Sequence, residues 1–338
     1  MPDRPTLKTI GKLAGLSHVA VSKALRDAPD ISAATKERVK KIADELGYTP
    51  NLAARNLYLR RTSTIGMVVP AIGDSTAYDL IFNEVSAAAA AHDFCVMLGS
   101  SHRSPQLEER HCRMMVGNQV GVLIVASCTS DVSRVKAACG TTPVIFIGGK
   151  TSPEETCSLL CDYRHSGALA VEHLAGLGHT QIALLTYEPE NLTILQKESG
   201  FSEAMESRGL SPRIVRTGHA ASALQAGMDG IELLLEKGEL PTAVWCASDY
   251  MAVGAMHALR LRGLSIPGDI SVMGHDDLYF ARYPDISLTT LHTPMEEMGK
   301  AAVALAISLI EQDGLVPARQ VFQPSLEIRG STGPCRRR

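Results

Sequence analysis

Two carboxylates follow directly after an apolar stretch, in the sequence GHDDL at residues 274–278. Paired acids can serve as general acid and general base. A carboxylate at the end of a strand can instead bind the hydroxyl groups of a ligand, or it can cap the following helix. We favour ligand binding among these three interpretations, because ligands of open α/β sheets bind beyond the carboxyl ends of the strands.

The other patterns that could indicate catalysis fail on spacing. The sequence GGKT at residues 148–151 resembles the end of a phosphate-binding loop, but Val144 stands where that loop requires its first glycine. No GxGxxG follows a predicted strand, and the chain contains no GxSxG. We therefore expect a protein that is not an enzyme and that uses no cofactor.

The cysteines do not form a metal-binding pattern, since no CxxC occurs. The closest pair, Cys157 and Cys161, lies in the apolar sequence CSLLC, which predicts a strand. Zinc ligands are usually spaced more tightly, so we expect reduced, mostly buried thiols and no metal. The eight cysteines are at positions 95, 112, 128, 139, 157, 161, 246 and 335.

A second polar surface occurs in the sequence LAGLSHVAVSKAL at residues 13–25, which predicts two helices joined at residues 15–17. One side of the second helix is apolar and can pack on a core; it carries Val21, Ala24 and Leu25. The other side carries His18, Val19, Ser22 and Lys23. A solvent-facing surface of this composition is available to bind a partner.

Charge is distributed unevenly along the chain. Residues 1–62 contain 12 Lys/Arg and 6 Asp/Glu, a net charge of +6, whereas the remainder contains 21 and 30, a net charge of −9. Such an asymmetry suggests a small module with an anionic partner. A solvated charged surface is the alternative explanation.

The first part of the chain is predicted to be helical. Thr6 can cap a helix to about Ala14, and Ser17 can cap a second helix to about Arg26. Ser32 can cap a third helix, which Gly47 ends. Its apolar residues recur at helical spacing; they are Val39, Ile42, Ala43 and Leu46. Residues 52–61 could form one more helix, too short to be stable alone.

From residue 64 onwards, apolar strands alternate with amphipathic helices, which is typical of parallel sheets covered on both faces. The run is too long for one open sheet, so we expect two α/β lobes with a cleft between them. Strands are predicted at 64–70, 94–99, 121–127, 143–148, 158–163, 181–187, 213–217, 242–248 and 270–275. Helices are predicted at 77–92, 105–117, 130–139, 165–177, 192–208, 222–237 and 249–262.

Neither a membrane span nor an export signal is predicted. The longest apolar runs fall short of the roughly 18 residues that a spanning helix needs. The first residues, MPDRPTLKTIGKLAG, lack the apolar stretch of a secretory signal. We therefore expect a cytoplasmic protein without a membrane partner.

Residues 6–57, from TLKTIGKLAGLSHVAVSKALRD to GYTPNLAARNL, resemble the DNA-binding headpiece of the lactose-repressor (LacI/GalR) family of bacterial transcription regulators. The resemblance continues to about residue 332, through IGMVVP, VEHLAGLGHTQIALLT, ASDYMAVGAMHALRLRGLSIPGDISVMGHDD, SLTTLHTP and LEIRGST. It implies a small all-α helix-turn-helix headpiece, followed by two α/β lobes with parallel sheets that are similar to periplasmic sugar-binding proteins.

The resemblance implies the following division of the chain. Residues 1–50 form the headpiece, 51–62 a hinge helix or linker, 63–332 a two-lobed domain for effector binding and dimerisation, and 333–338 a basic tail. The first lobe comprises about 63–161 plus 293–322, and the second about 162–292 plus 323–332.

The polar side of the second helix then belongs to a recognition helix at residues 17–26 that enters the major groove. Polar and small side chains there can contact base edges, thymine methyl groups and phosphates. The implied contacts are Thr6, Ser17, His18, Val19, Ala20, Ser22, Lys23 and Arg26. Two of them depart from the usual SxxTVSR of the family: Ala20 replaces a threonine, and Lys23 replaces an arginine that could read guanine bidentately.

The segment at 51–59 corresponds to the hinge helix of the family, which forms when two subunits sit on the operator. Leu57 occupies the position of a leucine that wedges into the minor groove, and wedges of this kind kink DNA. Packing of Leu57 against the partner's hinge or against the core lobes is the alternative. Asn51 and Ala54 are further implied DNA contacts in this segment.

The implied effector contacts are Asp74, Tyr78, Gly148, Lys197, Ser248 and Asp276. Lys197, Ser248 and Gly148 stand where the family usually has arginine, asparagine and aspartate, respectively. Asp249 is predicted to be a helix cap, and Asp162 is interpreted as a structural residue of its lobe.

The resemblance as a whole implies a ligand-responsive repressor that binds a palindromic operator and is controlled by a sugar or a related small molecule. Because the chain lacks a leucine-rich heptad tail, we expect a homodimer. One alternative is a solute-binding protein, which would need a signal peptide. The other is a nucleotide-dependent α/β enzyme, which would need a phosphate loop.

Overall fold

The computed structural model describes residues 5–48, 62–73, 78–129, 131–148, 157–188, 192–218, 222–236, 238, 240–311 and 318–336. The chain divides into two compact units, Met1–Arg61 and Thr62–Arg338. The first is a small helical headpiece, and the second contains two sheets and their covering helices.

The headpiece has three described helices, α1 (Leu7–Ala14), α2 (His18–Leu25) and α3 (Ala33–Glu45). Each begins after a hydroxyl side chain that accepts a hydrogen bond from a backbone N–H of the first turn, as predicted. Thr6 accepts from Thr9 N, Ser17 from Ala20 N and Ser32 from Thr35 N. These bonds satisfy donors that the helix itself leaves without an acceptor.

The tight connection between α1 and α2 depends on two glycines. Gly15 ends α1 in the left-handed conformation, with φ 64°. Gly11 lies against the turn, where an added Cβ would come within 2.6 Å of the Leu16 carbonyl oxygen. These two glycines therefore allow α1 and α2 to form a helix-turn-helix, in which the two helices pack against each other.

The headpiece core holds α2 by its apolar side, as predicted. Val21 and Ala24 are fully buried, and Leu25 packs against them. Each large aliphatic side chain buried in this way contributes about 1.5–3 kcal/mol. The remaining fully or nearly buried members of this core are Ile10, Ala14, Val39 and Ala43.

The first lobe contains a six-stranded sheet that is parallel throughout. Its strands are β1 (Thr64–Val69), β2 (Cys95–Ser100), β3 (Val122–Val125), β4 (Val144–Ile147), β5 (Cys157–Cys161) and β11 (Ala318–Phe322), in the order β11-β5-β4-β3-β1-β2. Its helices are α4 (Tyr78–Ala90), α5 (Pro105–Gly117), α6 (Ser133–Cys139) and α11 (Met295–Glu311).

The second lobe repeats this plan with one antiparallel edge strand. Its strands are β6 (Ile182–Tyr187), β7 (Arg213–Thr217), β8 (Ala243–Cys246), β9 (Ser271–Asp276), β10 (Thr289–His292) and β12 (Ser325–Glu327), in the order β12-β10-β9-β8-β6-β7. Its helices are α7 (Tyr163–Gly176), α8 (Leu192–Ser207), α9 (Ala223–Glu236) and α10 (Asp249–Leu261), with a 3-10 turn at Tyr279–Arg282.

Both sheets are covered on both faces, as the continuous apolar strands predicted. In β1, Met67 packs with α4 and α11, whereas the next residue, Val68, packs with α5 and α6. In β8, Val244 packs with α9 and α10, and Trp245 packs with α7 and α8. The chain crosses between the lobes three times, after β5, after β10 and after β11.

The strands and helices predicted from residue 64 onwards are present, but their ends differ from the predictions by a few residues. Four elements after β9 were not predicted, namely β10, α11, β11 and β12. The helix predicted at 130–139 begins only at Ser133, and the strand predicted at 121–127 is limited to Val122–Val125. The helix predicted at 165–177 begins earlier, at Tyr163, because the Asp162 carboxylate accepts a hydrogen bond from His165 N. Asp162 is thus a structural cap of α7, in agreement with its interpretation from the sequence.

All eight cysteines are free thiols, and Cys157 and Cys161 lie on β5 as predicted. Across the described ranges, no group of three His, Cys, Asp or Glu side chains could hold a metal ion. None of the helices described above is long and apolar enough to cross a membrane.

Candidate nucleic-acid interface and ligand cleft

The outward side of α2 is a polar surface on a rigid support. Val21 and Ala24 anchor the helix on its inner side, and His18, Val19 and Arg26 are exposed, with Val19 at 52%. Ala20, Ser22 and Lys23 are partly buried beside them. An exposed valine beside basic and hydroxyl side chains matches what base edges, methyl groups and phosphates require.

Two of the predicted DNA contacts, Thr6 and Ser17, also cap helices of the headpiece. Ser17 Oγ accepts from Ala20 N at 3.2 Å, and Thr6 Oγ1 accepts from Thr9 N at 3.2 Å. A cap replaced by alanine typically costs about 0.5–2 kcal/mol of stability. Substitution of either residue therefore affects the fold as well as any contact that it makes.

Lys23 of α2 and Arg26, which directly follows the helix, already have partners within the headpiece. Lys23 Nζ donates to Asp30 Oδ2 at 2.5 Å, and this hydrogen bond lowers the pKa of the Asp30 carboxyl. Arg26 Nε donates to Ser22 O at 3.1 Å. Because Lys23 and Asp30 remain 43% and 52% exposed, an approaching phosphate can compete with the aspartate for the ammonium group.

Four predicted site residues lie outside the described residues. They are Asn51, Ala54 and Leu57 of the predicted hinge, and Asp74 of the loop after β1.

Three of the predicted effector contacts, Gly148, Ser248 and Asp276, lie at the carboxyl end of a strand or just after it. Asp276 ends β9, and Ser248 follows β8. Gly148 follows β4 with φ 107°, a conformation that side-chain-bearing residues rarely adopt, and its N–H donates to Leu159 O. Ligands of open α/β sheets bind at such carboxyl ends. Tyr78 and Lys197 lie on helices instead, at the start of α4 and within α8.

Lys197 places an ammonium group inside the second lobe. Its side chain is buried, Nζ donates to Ala247 O at 2.8 Å, and Nζ lies 5.1 Å from the centre of the Tyr163 ring. Burial lowers the pKa of Lys197, and the negative charge of Asp276 opposes that shift. One carbonyl and one aromatic face leave this ammonium group with N–H donors to spare for a ligand.

Close packing of two helices fixes where Lys197 lies. Gly167 of α7 and Gly200 of α8 let the helices cross at short range, since a Cβ on Gly200 would collide with the Arg164 carbonyl. Tyr163 lies one turn before Gly167, and Lys197 lies three residues before Gly200. The crossing therefore brings the ammonium group over the aromatic ring.

Ser248 is the N-cap of α10, where its Oγ accepts from Met251 N, and Tyr187 OH lies 3.2 Å from the same oxygen. Burial raises the pKa of Tyr187 to about 12, so this hydroxyl is neutral and can donate or accept. The prediction that Asp249 caps the helix is wrong. Asp249 is fully buried within the second lobe, and its carboxyl oxygens accept from Leu278 N and Thr290 Oγ1.

The two acids of the GHDD sequence have different surroundings. Asp277 is bound on both oxygens: Arg329 Nη2 donates to Oδ1 at 2.7 Å, and Arg282 Nη2 donates to Oδ2 at 2.9 Å. Burial alone would raise the pKa of Asp277, but the nearby His292 ring, with Nδ1 3.3 Å from Oδ2, and the hydrogen bonds from Arg282 and Arg329 outweigh it and lower the pKa to about 2. Asp277 therefore has a structural role: its carboxylate links the residue directly after β9 to Arg329.

Asp276 keeps one oxygen available. Its Oδ1 lies 2.9 Å from His275 Nδ1, and 12% of its side chain is exposed. Its backbone has φ 110°, and that of Asp277 has φ 55°, so two successive non-glycine residues adopt positive φ values. Conformations of this kind cost about 1–3 kcal/mol each and persist where the surroundings enforce them, commonly at binding sites.

Electrostatic effects link residues of the two lobes. Burial raises the pKa of Tyr78 to about 12, and the negative charge of Asp276 also raises it. Asp276 likewise influences Lys197 and Tyr187. Tyr78, Tyr187 and Lys197 are thus close enough to Asp276 for its charge to affect their pKa values, and Ser248 lies 3.2 Å from Tyr187 OH. The described hydrogen bond of Gly148 goes to Leu159 O and not to any of these residues.

Sequence reasoning missed three side chains of this group, Tyr163, Tyr187 and His275. Tyr187 ends β6, so its position at a strand end was an available signal. His275 was part of the GHDD sequence but belongs to the buried face of β9. Tyr163 could not have been found, because its contact with Lys197 depends on the crossing of α7 and α8.

Replacement of Asp277 by Asn should lower the free energy of unfolding at pH 7 by about 2 kcal/mol, as the pKa shift from 3.8 to about 2 implies. A depressed carboxyl pKa stabilises the fold above the unfolded pKa and ceases to do so as pH falls towards 2. The difference from the wild type should therefore shrink between about pH 4 and pH 2. Urea unfolding across this range measures it, with the exposed Asp285→Asn as control; an undiminished difference at pH 2 would contradict the assignment.

Comparisons with known proteins agree with this architecture. Residues 6–51 match the family model for bacterial regulatory proteins of the lacI family. Residues 171–332 match the model for a periplasmic binding protein-like domain.

Curated relatives match over almost the whole chain. The HTH-type transcriptional regulator MalR of Streptomyces coelicolor is 31% identical, over 96% of this chain and 96% of its own length. The regulator AglR of Rhizobium meliloti is 30% identical, over 97% and 94%. The repressor PurR of Haemophilus influenzae is 28% identical, over 96% and 98%.

Solved structures show the same fold. The Lac repressor dimer bound to operator and the anti-inducer ONPF superposes with a TM-score of 0.85 at 27% identity, covering 98% of this chain and 100% of that one. The complex of the transcriptional regulator CelR with cellobiose has a TM-score of 0.71 at 26% identity, covering 97% and 100%.

A helix-turn-helix headpiece followed by two periplasmic-binding-protein-like lobes defines a DNA-binding transcriptional regulator with a domain for small-molecule effectors. The chain belongs to the LacI family of bacterial regulatory proteins. Its relatives are transcriptional regulators over their full length, so the interpretations as an enzyme and as a solute-binding protein are set aside.

Proposed function

We propose that the protein is a repressor that binds a palindromic operator as a homodimer and responds to a sugar or sugar derivative bound between its lobes. The observation that carries the proposal is the occurrence, in one chain, of the exposed face of α2 and of a buried ammonium group near an accessible carboxylate. The first suits DNA, and the second suits a small hydroxylated ligand.

On the DNA side, α2 lies in the major groove of a half-site, and the hinge segment lies in the minor groove. The proposed division of the chain is 1–50 for the headpiece, 51–62 for the hinge and 63–332 for the two lobes. The proposed contacts are Thr6, Ser17, His18, Val19, Ala20, Ser22, Lys23 and Arg26 of the headpiece, and Asn51, Ala54 and Leu57 of the hinge. A protein that acts on operator DNA works in the cytoplasm.

On the effector side, the donors and acceptors suit several hydroxyl groups at once. Asp276 accepts, Lys197 donates, and the hydroxyls of Tyr78 and Ser248 can do either. Gly148 and Asp74 complete the proposed set of contacts. In support, the structures of the Lac repressor and of CelR hold ONPF and cellobiose, respectively.

Regulation follows from unequal affinity of the effector for two conformations of the lobes. A ligand that binds the operator-binding form more tightly strengthens repression, and one that prefers the other form weakens it. The lobes transmit this preference to the headpieces through the spacing of the two subunits and the formation of the hinge helices.

A gel-shift assay with the DNA upstream of the protein's own gene tests the proposal, with and without a panel of mono- and disaccharides. We expect a specific shift that resists competitor DNA and that at least one sugar changes. Absence of any sequence-specific complex would contradict the proposed function.

Leu57→Ala should weaken specific binding much more than non-specific binding. Non-specific affinity comes from neutralisation of phosphates by Lys and Arg, which this substitution leaves in place. Specific affinity also uses the proposed wedge, whose loss should cost about 1–3 kcal/mol, comparable to one mismatched base pair. Operator and random-DNA affinities across a salt series measure both terms.

The salt dependence of operator binding should stay nearly constant in this variant, because phosphate contacts do not change, whereas DNA bending should decrease. Leu52→Ala, in the same segment, is the matched control for loss of an aliphatic side chain. An equal loss of affinity on both DNAs, or an unaltered bend, would mean that Leu57 serves packing.

A further inference from the structure

A hydrogen-bonded chain runs from α7 through the core of the second lobe to the proposed effector carboxylate. Ser166 Oγ lies 3.2 Å from His275 Nε2, and His275 Nδ1 lies 2.9 Å from Asp276 Oδ1. Ser166 and His275 are fully buried. These hydrogen bonds thus join a buried helix hydroxyl to a carboxylate at the carboxyl end of β9.

The imidazole in the middle of this chain is neutral. Burial, followed by the positive charge of Lys197, lowers the pKa of His275 to about 4, although the hydrogen bond with Asp276 acts in the opposite direction. Contact between His275 and Asp276 at neutral pH is therefore a hydrogen bond between a neutral donor and an anion. It is not an ion pair.

The surroundings then determine which nitrogen carries the proton. A carboxylate only accepts hydrogen bonds, so Nδ1 carries the proton and donates it to Asp276 Oδ1. Nε2 has the free electron pair and accepts from the Ser166 hydroxyl. This arrangement occupies Oδ1 of Asp276 and leaves Oδ2 without a hydrogen bond to any residue that the structure describes.

The ring itself has little freedom to rotate. Its centre lies 5.7 Å from that of Tyr163 and 6.3 Å from that of Trp245. Both aromatic residues are buried in the lobe cores. A ring that is packed on its sides and bonded at both nitrogens can hold a flexible partner in one orientation.

Asp276 needs such a restraint because of its backbone. Its φ of 110° lies outside the regions that side-chain-bearing residues prefer, and its side chain has only one described hydrogen-bond partner. Pre-organised polar groups bind ligands more tightly because less conformational freedom is lost on binding. The imidazole provides that pre-organisation.

Serine, histidine and aspartate in this order could also suggest a nucleophilic triad. Burial excludes that role, because Ser166 Oγ lies beneath the imidazole inside the lobe, where no acyl group can reach it. Of these three hydrogen-bonded residues, only Asp276 has a partly exposed side chain. A binding site needs an accessible carboxylate, whereas a nucleophilic triad would need an accessible serine.

We infer that His275 is a positioning residue for the effector: its Nδ1–H fixes Oδ1 of Asp276 and turns Oδ2 towards the ligand, and Ser166 fixes the tautomer. The inference rests on the proposed function for the role of the ligand. The geometry that it requires exists without a ligand and can be tested in the free protein.

Long-range ¹H–¹⁵N spectra of the full-length protein labelled at histidine test the tautomer. We expect the His275 signals at pH 7 to show a protonated Nδ1 and an unprotonated Nε2. In Asp276→Ala the acceptor of Nδ1 is gone, so the proton should move to Nε2 and be donated to Ser166 Oγ. The variant His257→Asn removes an exposed histidine and serves as the control for assigning the histidine signals. The same tautomer in both proteins, or an imidazolium in the wild type, would overturn the inference.

Crystal structures of two variants test the positioning. His275→Phe keeps a ring but removes the donor, so the Asp276 carboxylate should lose its single orientation. His275→Asn offers an amide N–H close to the position of Nδ1 and should restore that orientation. An ordered carboxylate in the Phe variant, with Oδ1 and Oδ2 unmoved, would show that His275 only fills space.

These outcomes are separate from the outcome of the operator assay. If the tautomer and the Asn rescue are observed but no sugar changes operator binding, the proposed effector class is wrong and the positioning of Asp276 stands. If a sugar acts but the tautomer does not depend on Asp276, the proposed function stands and the role of His275 is wrong.

Discussion

Removal of residues 1–62 should abolish operator binding and leave a folded two-lobed protein that still binds effector and still dimerises. The headpiece and the lobes have separate cores, with Ile10, Val21 and Val39 in the first and none of them in the others. The truncation removes the whole proposed DNA interface. Because specific sites are bound about 10³–10⁷-fold more tightly than other DNA, the loss should be at least a thousandfold.

Gel shift measures DNA binding by the truncated protein, and sedimentation measures its oligomeric state. The full-length chain, purified and assayed at the same concentration, is the control. Retained operator binding by the truncated protein would contradict the division into a DNA-binding unit and an effector-binding unit. A monomer would contradict the assignment of dimerisation to the lobes.

Asp276→Ala should leave operator affinity near normal and remove the response to effector. The substitution removes the accessible acceptor at the end of β9, and a hydrogen bond between a ligand hydroxyl and a charged group contributes about 1.5–3 kcal/mol. Effector affinity should therefore fall at least about tenfold. Calorimetry with the sugar selected by the gel-shift panel measures this fall.

Glu236→Ala is the matched control, because it removes an exposed carboxylate from α9. Unchanged calorimetric binding in a folded Asp276→Ala protein would show that Asp276 does not contact the effector. Loss of operator binding in the absence of effector would show that the residue supports the fold of the regulator more than its response.

Local signals predicted most elements of the fold, but not the four that follow β9, which are β10, α11, β11 and β12. The hydroxyl caps Thr6, Ser17 and Ser32 predicted where the headpiece helices begin, because a cap bonds to its own first turn. Continuous apolar strands predicted sheets covered on both faces. The position of Asp276 at a strand end also followed from its place in the sequence.

Distant contacts could not be read from the sequence. The acids Asp276 and Asp277 are neighbours of the same type, and their roles separate only because Arg329, 52 residues further along, binds Asp277. The buried roles of Asp249 and His275 likewise depend on Thr290 and Ser166, which lie on other elements. The Lys23–Asp30 pair depends on the fold of the turn after α2.

In the proposed regulation, effector binding and operator binding are coupled, and such coupling is reciprocal. The most direct test is to measure operator affinity with and without saturating effector, and effector affinity with and without saturating operator DNA. We expect the two affinity ratios to be equal and to differ from one by at least about fivefold, the lower end of typical couplings. An effector that binds the free protein but leaves operator affinity unchanged would contradict the proposed coupling of the two sites.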